Sequence, residues 1–446
     1  MTEKTKAAAA KAPKRETLAN PYRRIKGMKD VMPGDFNAWQ FVLDTAFRLA
    51  NFHDFQRIDT PVLENLGLYE RSSGKTSDIV TKEMYSFVDK SGERVALRPE
   101  ATPGIVRAYI EHGWLNLPQP VKTLWYGSLF RHDKPQLGRY RQHNQINFDI
   151  FGEAGPMADV QLIFLAYQII KDLGINAQID INSLGCPDCR PAYVNKLLAY
   201  YKDRKRREQL CPDCKKRLLK NPLRVLDCKE PACIAIAREA PQMIDYLCDP
   251  CKQHFVKILE FLDGLNVPYN LNSQLVRGLD YYTRTVFEVT VPSETAERPL
   301  SLGGGGRYDQ LVEYLGGRPT PACGFAFGVE RLLLQISEEN VKVAAGQEKP
   351  DVFLAQLGDG ARLKSLQLFE DLRQVGITIK QSFTKDSLKN QLALASQLGA
   401  KYTLIIGQKE ILDGTILLRD MESSSQEVLD FKKIKQIMVK RLGKNS

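Results

Sequence analysis

Residues 121–151 read VKTLWYGSLFRHDKPQLGRYRQHNQINFDIF. Val121 to Arg131 is rich in aromatic and β-branched residues, which favour an extended strand. His132 to Tyr140 is polar and carries Pro135 and Gly138, so the chain turns there. Arg141 to Phe151 returns as a second strand, and the pair reads as a hairpin. In the second strand His143, Gln145, Asn147 and Asp149 fall at spacing two and share one face, while Ile146, Phe148 and Ile150 share the other. The apolar face belongs against a core. The polar face is either a solvated edge or the floor of a ligand site. Arg131 closes the first strand, where its fork of donors is either a surface charge or a clamp for phosphate or carboxylate.

Working outward, Phe36, Trp39, Leu43, Phe47 and Ala50 recur at helical spacing. Phe55 to Glu64 reads as one strand stopped by Pro61. Arg94 to Leu97 is a second short strand, and Thr102 followed by Pro103 reads as an N-cap and first helical residue, with the helix running to about His112. Downstream, Leu162 to Leu173 is an amphipathic helix. Residues 183–262 are mostly helical by pattern and strongly basic around Lys202–Arg207. Residues 271–334 return to strands, with a final helix from about Val329. Here Tyr281 and Tyr282 would point to opposite faces of a strand, so at most one faces a given pocket. Gly303 to Gly306 lack the Lys-Ser/Thr ending of a phosphate loop and are either turn glycines or a close backbone approach to ligand. From Asp351 onward, strand-like stretches (352–357, 377–381, 402–407, 415–420) alternate with helical ones, the pattern of a small α/β domain.

A chain of 446 residues is too long for one ordinary core. With 43% hydrophobic and 26% charged residues it has the balance of a soluble globular protein. No apolar run approaches the roughly 20 residues a membrane helix needs. The first twenty residues are polar, Ala-rich and basic and read as a disordered tail, with Glu3 and Glu16 speaking against a transit peptide. A net charge of +10 is compatible with a nucleic-acid partner bound through its phosphates. Of nine cysteines, eight form close pairs: Cys186/Cys189, Cys211/Cys214, Cys228/Cys233 and Cys248/Cys251. Without a secretory signal, disulfides are disfavoured. Structural Zn2+ is the sharper reading, as two four-cysteine sites or one site with spare thiols, and small core residues the plainer one.

Taken in order, these segments resemble the class II aminoacyl-tRNA synthetases and, among them, the histidyl-tRNA synthetase family. The helix of residues 36–52 with the strand ending at Pro61 resembles the dimer-forming first motif, residues 124–151 the second, and residues 322–334, with GFAFGVERLLL, the third. LVRGLDYYTRTVFEV (residues 275–289) and GGGGRYD (residues 303–309) resemble the two histidine-specific peptides. The resemblance covers roughly residues 22–440. It implies an α+β protein with an antiparallel catalytic sheet and flanking helices in residues 21–182 and 263–335, a mostly helical Cys-rich insertion in residues 183–262, a linker in 336–349, and an α/β anticodon-binding domain in 350–446, after the tail of residues 1–20. The activity implied is ATP- and Mg2+-dependent activation of L-histidine and its transfer to tRNA(His), by a cytoplasmic homodimer.

The resemblance also implies roles. Arg131 and Arg277 would be catalytic, Arg131 on the α-phosphate and Arg277 on the histidine carboxylate and the same phosphate. Arg331 and His143 would complete the ATP site. Glu100, Thr102 and Gln145 would hold the α-amino group, Asp149 and Tyr282 the imidazole, and Tyr281 would line the pocket. Lys134 and Gln136 would lie near the tRNA acceptor end, and a zinc-folded insertion would present Lys202 and Arg204 to Arg207 to it. Two positions depart from the family pattern: His143 stands where Phe often stacks on adenine, and Asp149 where a longer Glu is common. The competing reading is a non-enzymatic, histidine-binding regulatory relative on the same fold. Such relatives typically lack an equivalent of Arg277 and the C-terminal domain.

Overall fold

The computed structural model describes residues 22–74, 77, 79–134, 138–292, 299–343, 349–383 and 387–444. Gln136 and the N-terminal tail, named above, lie outside the described residues. The chain divides into two compact units, one within Met1–Val343 and one within Ala344–Ser446.

The strands of the first unit are β1 Gln56–Ile58, β2 Leu63–Asn65, β3 Ser86–Val88, β4 Arg94–Leu97, β5 Val121–Phe130, β6 Gln142–Phe151, β7 Gln178–Ser183, β8 Asn270–Leu271, β9 Thr283–Val291, β10 Leu300–Arg307 and β11 Ala322–Gly328. Eight form one sheet in the order β1-β5-β6-β11-β10-β9-β7-β8. Its six inner strands are antiparallel, and only the edge strands β1 and β8 pair in parallel. The hairpin of β5 and β6 pairs from Val121↔Phe151 to Phe130↔Gln142. Because β11 pairs with the other edge of β6, β6 is an inner strand and its polar face is not a solvated edge. Its apolar face, with Ile146, Phe148 and Ile150, packs with Trp39, Val42, Ala46 and Leu49 of the helix Phe36–Phe52 and with Leu162, Ile163 and Ala166 of the helix Pro156–Asp172.

Four local expectations change. The stretch from Phe55 to Glu64 is not one strand. It breaks at Pro61, which has no N–H for a ladder, into β1 of the large sheet and β2 of a three-stranded sheet β2-β4-β3. Thr102 is not an N-cap. The helix Thr102–Glu111 starts one residue earlier than the cap assignment allows, with Ala101 at the cap and no side-chain cap bond; proline is tolerated throughout the first turn, so Pro103 did not fix the boundary. Tyr281 and Tyr282 precede β9 in a turn, so strand alternation does not separate them. Of the two readings of Gly303–Gly306, the one as turn glycines falls. These glycines lie inside β10, paired on both sides. A Cβ on Gly305 would overlap the Gly324 carbonyl oxygen, and one on Gly303 the Ala326 carbonyl oxygen.

The insertion is helical as expected, with Arg190–Lys202, Arg204–Gln209, Pro212–Lys220 and Pro231–Arg238. The helix Asp249–Gly264 then packs Phe255, Ile258 and Leu262 into the core beneath the sheet. The second unit holds a five-stranded sheet: Val352–Gln356, Ile379–Gln381, Tyr402–Ile406, Thr415–Asp420 and Gln426–Asp430, with the helices Asp359–Arg373, Leu388–Gln397 and Ile434–Leu442. The last of these strands is polar, alternates exposed and half-buried residues and pairs on one side only, so it carries little sequence signal. Among the described residues no helix is long and apolar enough to cross a membrane.

Since the atoms opposing a Cβ at Gly305 are backbone, they cannot swing aside. Gly305→Ala is expected to lower stability by about 2 kcal/mol or more, read as a lower urea midpoint. Gly264→Ala, where a Cβ meets nothing within 4 Å, serves as the control. Equal midpoints for G305A and the parent chain overturn this account.

Candidate active site

A cleft of about 1160 Å³ opens over the polar face of β6. Its floor includes His143, Gln145 and Asn147 of β6 together with Gly303 and Gly304 of β10. Glu100 and Thr102 enter from the start of the helix after β4, Arg131 from the end of β5, Arg277, Tyr281 and Tyr282 from the segment before β9, and Arg331 from the helix Val329–Glu338. Nine of the ten residues assigned from the sequence to the histidine and ATP sites therefore line one cleft, from segments more than two hundred residues apart. Asp149 shares their face of β6 but is 1% exposed, and the Tyr308 hydroxyl donates to its Oδ1. Lys134 is exposed in the loop after β5.

At one end of the cleft the side chains are carboxylates and phenols. Ser73 Oγ donates to Glu100 Oε1 at 2.6 Å, and the Tyr281 hydroxyl to Oε2 at 3.2 Å. Burial pushes the Glu100 carboxyl above its ordinary range, opposed by the Ser73 bond and by Arg131. Burial also pushes Asp149 up to about 7, the Tyr308 bond opposing it. Asp149 Oδ2 and Asn147 Oδ1 are buried acceptors reached by no donor among the described residues. Tyr281, Tyr282 and Tyr308 pack with ring centroids 4.9 to 6.3 Å apart.

At the other end arginines gather. Arg131 Nε donates to the Pro99 carbonyl at 2.7 Å. Arg277 Nη1 donates to Glu288 Oε1 at 3.0 Å, an oxygen that also accepts from Ser301 Oγ at 2.7 Å. The Arg277 guanidinium lies 5.8 Å from the Tyr282 ring centre. A Cβ on Gly304 would come within 2.9 Å of Arg277 Nη1, so the glycine leaves that guanidinium its place over the sheet. Arg331 Nη1 donates to the Ser301 carbonyl at 2.6 Å. Burial, then Arg139, pulls Arg331 down to about 10, with Arg131 and Arg277 adding to the effect. Burial, then Arg131 and Arg331, holds His143 down at about 3, so its ring is neutral. Cations crowded this way are disfavoured until a polyanion lies among them. A triphosphate fits the arginine end, and an amino acid with a polar ring fits the carboxylate–phenol end.

Sequence reasoning did not single out Tyr308, Glu288 or Ser73. Tyr308 and Glu288 sit inside the two peptides quoted above, but their partners, Asp149 and Arg277, come from contacts no spacing encodes. Ser73 carried no signal.

Comparison with known proteins gives a consistent result. The family model for histidyl-tRNA synthetase matches residues 27–211 and 227–332, and that for an anticodon binding domain matches residues 351–441. The chain is 45% identical over 409 residues to a histidine–tRNA ligase from Dehalococcoides mccartyi, covering 92% of this chain and 97% of that one. It is similar to the crystal structure of apo histidyl-tRNA synthetase from S. aureus, with a TM-score of 0.77, 30% identity, and coverage of 94% and 99%. A Bacillus halodurans structure titled as an ATP phosphoribosyltransferase regulatory subunit/histidyl-tRNA synthetase shares the fold at 20% identity, with a TM-score of 0.60 and coverage of 87% and 98%.

The raised Asp149 carboxyl sets a pH dependence. Unfolded, the group titrates near 3.8, and folded near 7. The folded protein therefore keeps this proton to higher pH, and the stability linked to it is present below about 4 and lost as pH rises to about 7. Asp149→Asn cannot ionise. The melting temperature of ligand-free D149N, relative to the parent, is expected to rise between pH 4.5 and 7.5. Parallel curves across that range overturn the assignment.

Proposed function

The chain belongs to the histidyl-tRNA synthetase family, and from that membership we propose how its own residues divide the work of activating L-histidine with ATP and loading it onto tRNA(His). The observation carrying the proposal is the convergence of Arg131, Arg277 and Arg331 at one end of a cleft whose other end holds Glu100, Asp149 and three tyrosines.

In the first step a histidine carboxylate oxygen attacks the α-phosphorus of ATP. A P–O bond forms, pyrophosphate leaves, and histidyl-adenylate remains. A carboxylate nucleophile carries no proton at neutral pH, so no general base is required. Negative charge builds on the α-phosphate oxygens, and Arg131 and Arg277 are assigned to them. Fixed guanidinium groups stabilise that charge more in the transition state than in the ground state. Glu288, now on Arg277, holds that side chain in place until the substrates take over. Arg331 is assigned to the adenine or γ-phosphate end, and the neutral His143 ring to stacking on adenine.

Among the described residues, the only groups of three or more side chains able to share a metal ion are the insertion's cysteines. Mg2+ is therefore read as entering on the phosphates of ATP. Zn2+ on those cysteines completes the cofactors of this reading.

Glu100, Thr102 and Gln145 are assigned to the α-amino group, with Thr102 acting as a first-turn helix residue and not as a cap. Asp149, oriented by Tyr308, and Tyr282 are assigned to the two imidazole nitrogens, with Tyr281 beside them. Buried groups of this kind reject an apolar side chain because it leaves them unpaired. In the second step a 3′-terminal ribose hydroxyl of the tRNA attacks the activated carbonyl and AMP leaves. Lys134, Gln136 and the insertion's basic helix Arg204–Gln209 are assigned to the acceptor arm, and the second unit to the anticodon. A homodimer through the first motif fits the exposed Phe52 (77%), Val62 and Leu63. A cytoplasmic location belongs to the same reading. No observation favours a purely regulatory role, since Arg277 lines the cleft and the anticodon-binding unit is present.

Arg277→Lys is expected to lower histidine-dependent exchange of pyrophosphate into ATP by about a hundredfold, because a point charge cannot fork between carboxylate and phosphate. Near-normal exchange in that variant sinks the assignment. Deleting residues 350–446 is expected to leave exchange largely intact and to weaken tRNA charging. Loss of exchange in a truncated chain shown to be folded and dimeric contradicts the division of labour.

A further inference from the structure

We propose that the insertion holds two separate structural Zn2+ ions, one on Cys186, Cys189, Cys248 and Cys251 and one on Cys211, Cys214, Cys228 and Cys233, and that the two sites together brace the segment 277–282 that lines the cleft.

The sulfurs within each group all lie within 4.8 Å of one another. Sγ–Sγ distances are 3.7 Å for Cys186–Cys189, 3.8 Å for Cys186–Cys248, 4.0 Å for Cys189–Cys251 and 3.8 Å for Cys211–Cys228. Four thiolates at about 2.3 Å from one tetrahedral ion stand about 3.8 Å apart. No cysteine among the described residues is in a disulfide. The grouping is nested. The first and last pairs, 62 residues apart, close one site, and the two middle pairs close the other within the loop so formed. Nothing in the C-x-x-C spacings dictates that choice, and it leaves no spare thiol among the eight.

Packing alone does not account for how the sulfurs are addressed. Backbone amides of Cys186, Cys211, Cys214 and Glu230 donate to Sγ of Cys189, Cys233, Cys211 and Cys228 at 3.2 to 3.5 Å. Cys189, Cys211 and Cys248 each stand at the N-cap of a helix. Ligand atoms held by such donors are oriented toward a shared ion. Four protein ligands per ion leave no open position, so each site is structural. The need is clear from the local sequence. The helix Pro212–Lys220 carries Lys215, Lys216, Arg217 and Lys220 but buries only Cys214 and Leu218. The helix therefore joins the insertion's core of Tyr193, Leu197, Tyr201, Leu210, Val225 and Leu226 through two side chains only, and a metal staple would fix it there.

The two sites are joined to the cleft by three hydrogen bonds. Arg190, next to Cys189, donates to the Tyr282 carbonyl at 2.6 Å. Asn221, at the end of the helix begun by Cys211, donates to Asp280 Oδ1 at 2.7 Å. Arg224, in the turn leading to Cys228, donates to the Gly278 carbonyl at 3.2 Å. Cys211 and Cys228 themselves line the cleft wall. The site nearer the sheet (Cys186, Cys189, Cys248 and Cys251), the inner one, thus fixes the Tyr282 end of the segment, and the outer one (Cys211, Cys214, Cys228 and Cys233) its Gly278–Asp280 end. This coupling rests on reading residues 277–282 as part of the histidine site, whereas the two-ion assignment does not.

The test uses full-length protein purified without chelator. Elemental analysis is expected to give two zinc ions per chain, with the eight thiols unreactive until the metal is withdrawn. Exchange into Co2+ is expected to give the intense visible bands and sulfur-to-metal charge transfer of tetrahedral thiolate cobalt. Cys228→Ser with Cys233→Ser is expected to leave one zinc and to raise the KM for histidine in pyrophosphate exchange about tenfold, with the KM for ATP little changed. Arg224→Ala tests the brace without touching a ligand: zinc stays at two and the histidine KM rises. Zinc below about 0.2 per chain with all eight thiols reactive overturns the sites, given that a closed site at these affinities retains its metal. A count of one overturns the two-site form. An unmoved histidine KM in both variants overturns the brace. If exchange is absent altogether, the reading of the active site fails while the zinc count still decides the metal proposal.

Discussion

A strand stripped of side chains lies at the centre of the large sheet, and the cleft exists because of it. At Gly303, Gly305 and Gly306 of β10 a Cβ would run into the backbone of β9 or β11. At Gly304 it would meet both backbone and Arg277, and at Gly324 of β11 it would strike the Asp149 carboxyl and come within 2.7 Å of the Tyr308 hydroxyl. Each glycine in a strand interior costs about 0.5–1 kcal/mol against alanine in backbone entropy. Pairing on both edges offsets that cost, and the return is a flat floor. A chemically equipped site then has to be furnished from the strands and loops around that floor, which is why its polar side chains come from so many segments.

Those side chains are sorted by charge. Arginines gather where Ser301 and Pro99 offer backbone carbonyls, and acids gather where tyrosines and a serine offer hydroxyls. The sorting has opposite effects at the two ends. Arg331 is pulled down by burial and neighbouring cations, and Asp149 and Glu100 are pushed up by burial. Arg331, Glu100 and Asp149 are therefore worse placed to carry their charges than in water, and each gains when a ligand of opposite charge arrives. In the proposed reading, a zwitterionic amino acid with its ammonium at Glu100 and its carboxylate toward the arginines satisfies both ends in one orientation, the one that would point the nucleophile at the phosphate.

The parts of this arrangement that were legible in the sequence are those with a short period. The alternation from His143 to Asp149 named the polar face of β6 correctly, because each strand residue fixes the side of the next. The helix Phe36–Phe52 was legible because its apolar stripe repeats every turn. What failed was set by distant neighbours. The run from Phe55 to Glu64 looks uniform, yet its halves find partners in different sheets, Thr123–Trp125 for one and Val95–Leu97 for the other. The turn reading of four successive glycines fell because two flanking strands claim them. Tyr281 and Tyr282 looked mutually exclusive because a strand was assumed where the chain turns. The pairing of Tyr308 with Asp149 spans 159 residues and leaves no trace in either segment. The assignment of roles came from resemblance to a family and not from any spacing.

The insertion buries a core of its own, with Tyr193, Leu197, Tyr201, Val225 and Leu226, and serves a precise site only if that core is also positioned against the cleft. Its last helix, Asp249–Gly264, anchors Phe255, Ile258 and Leu262 under the sheet while its first turn carries Cys251 into the inner cluster. Cys186 follows directly on β7 and the Gly185 turn, so the inner cluster joins two elements that the sheet already fixes. Closing it adds little to their order but ties off everything between them as one loop. The entropy of such a loop grows only slowly with its length, so a long insertion is tolerated, but nothing in the closure orders its middle. That order comes from within the loop, from its buried core of Tyr193, Leu197, Tyr201, Val225 and Leu226 and from the outer cluster at the point where the loop meets Gly278 and Asp280. A single site at the root would leave the cleft wall free to swing, and a single site at the tip would leave a rigid lobe on a loose hinge. The nested arrangement is the one that transmits the position of the sheet to the wall of the cleft.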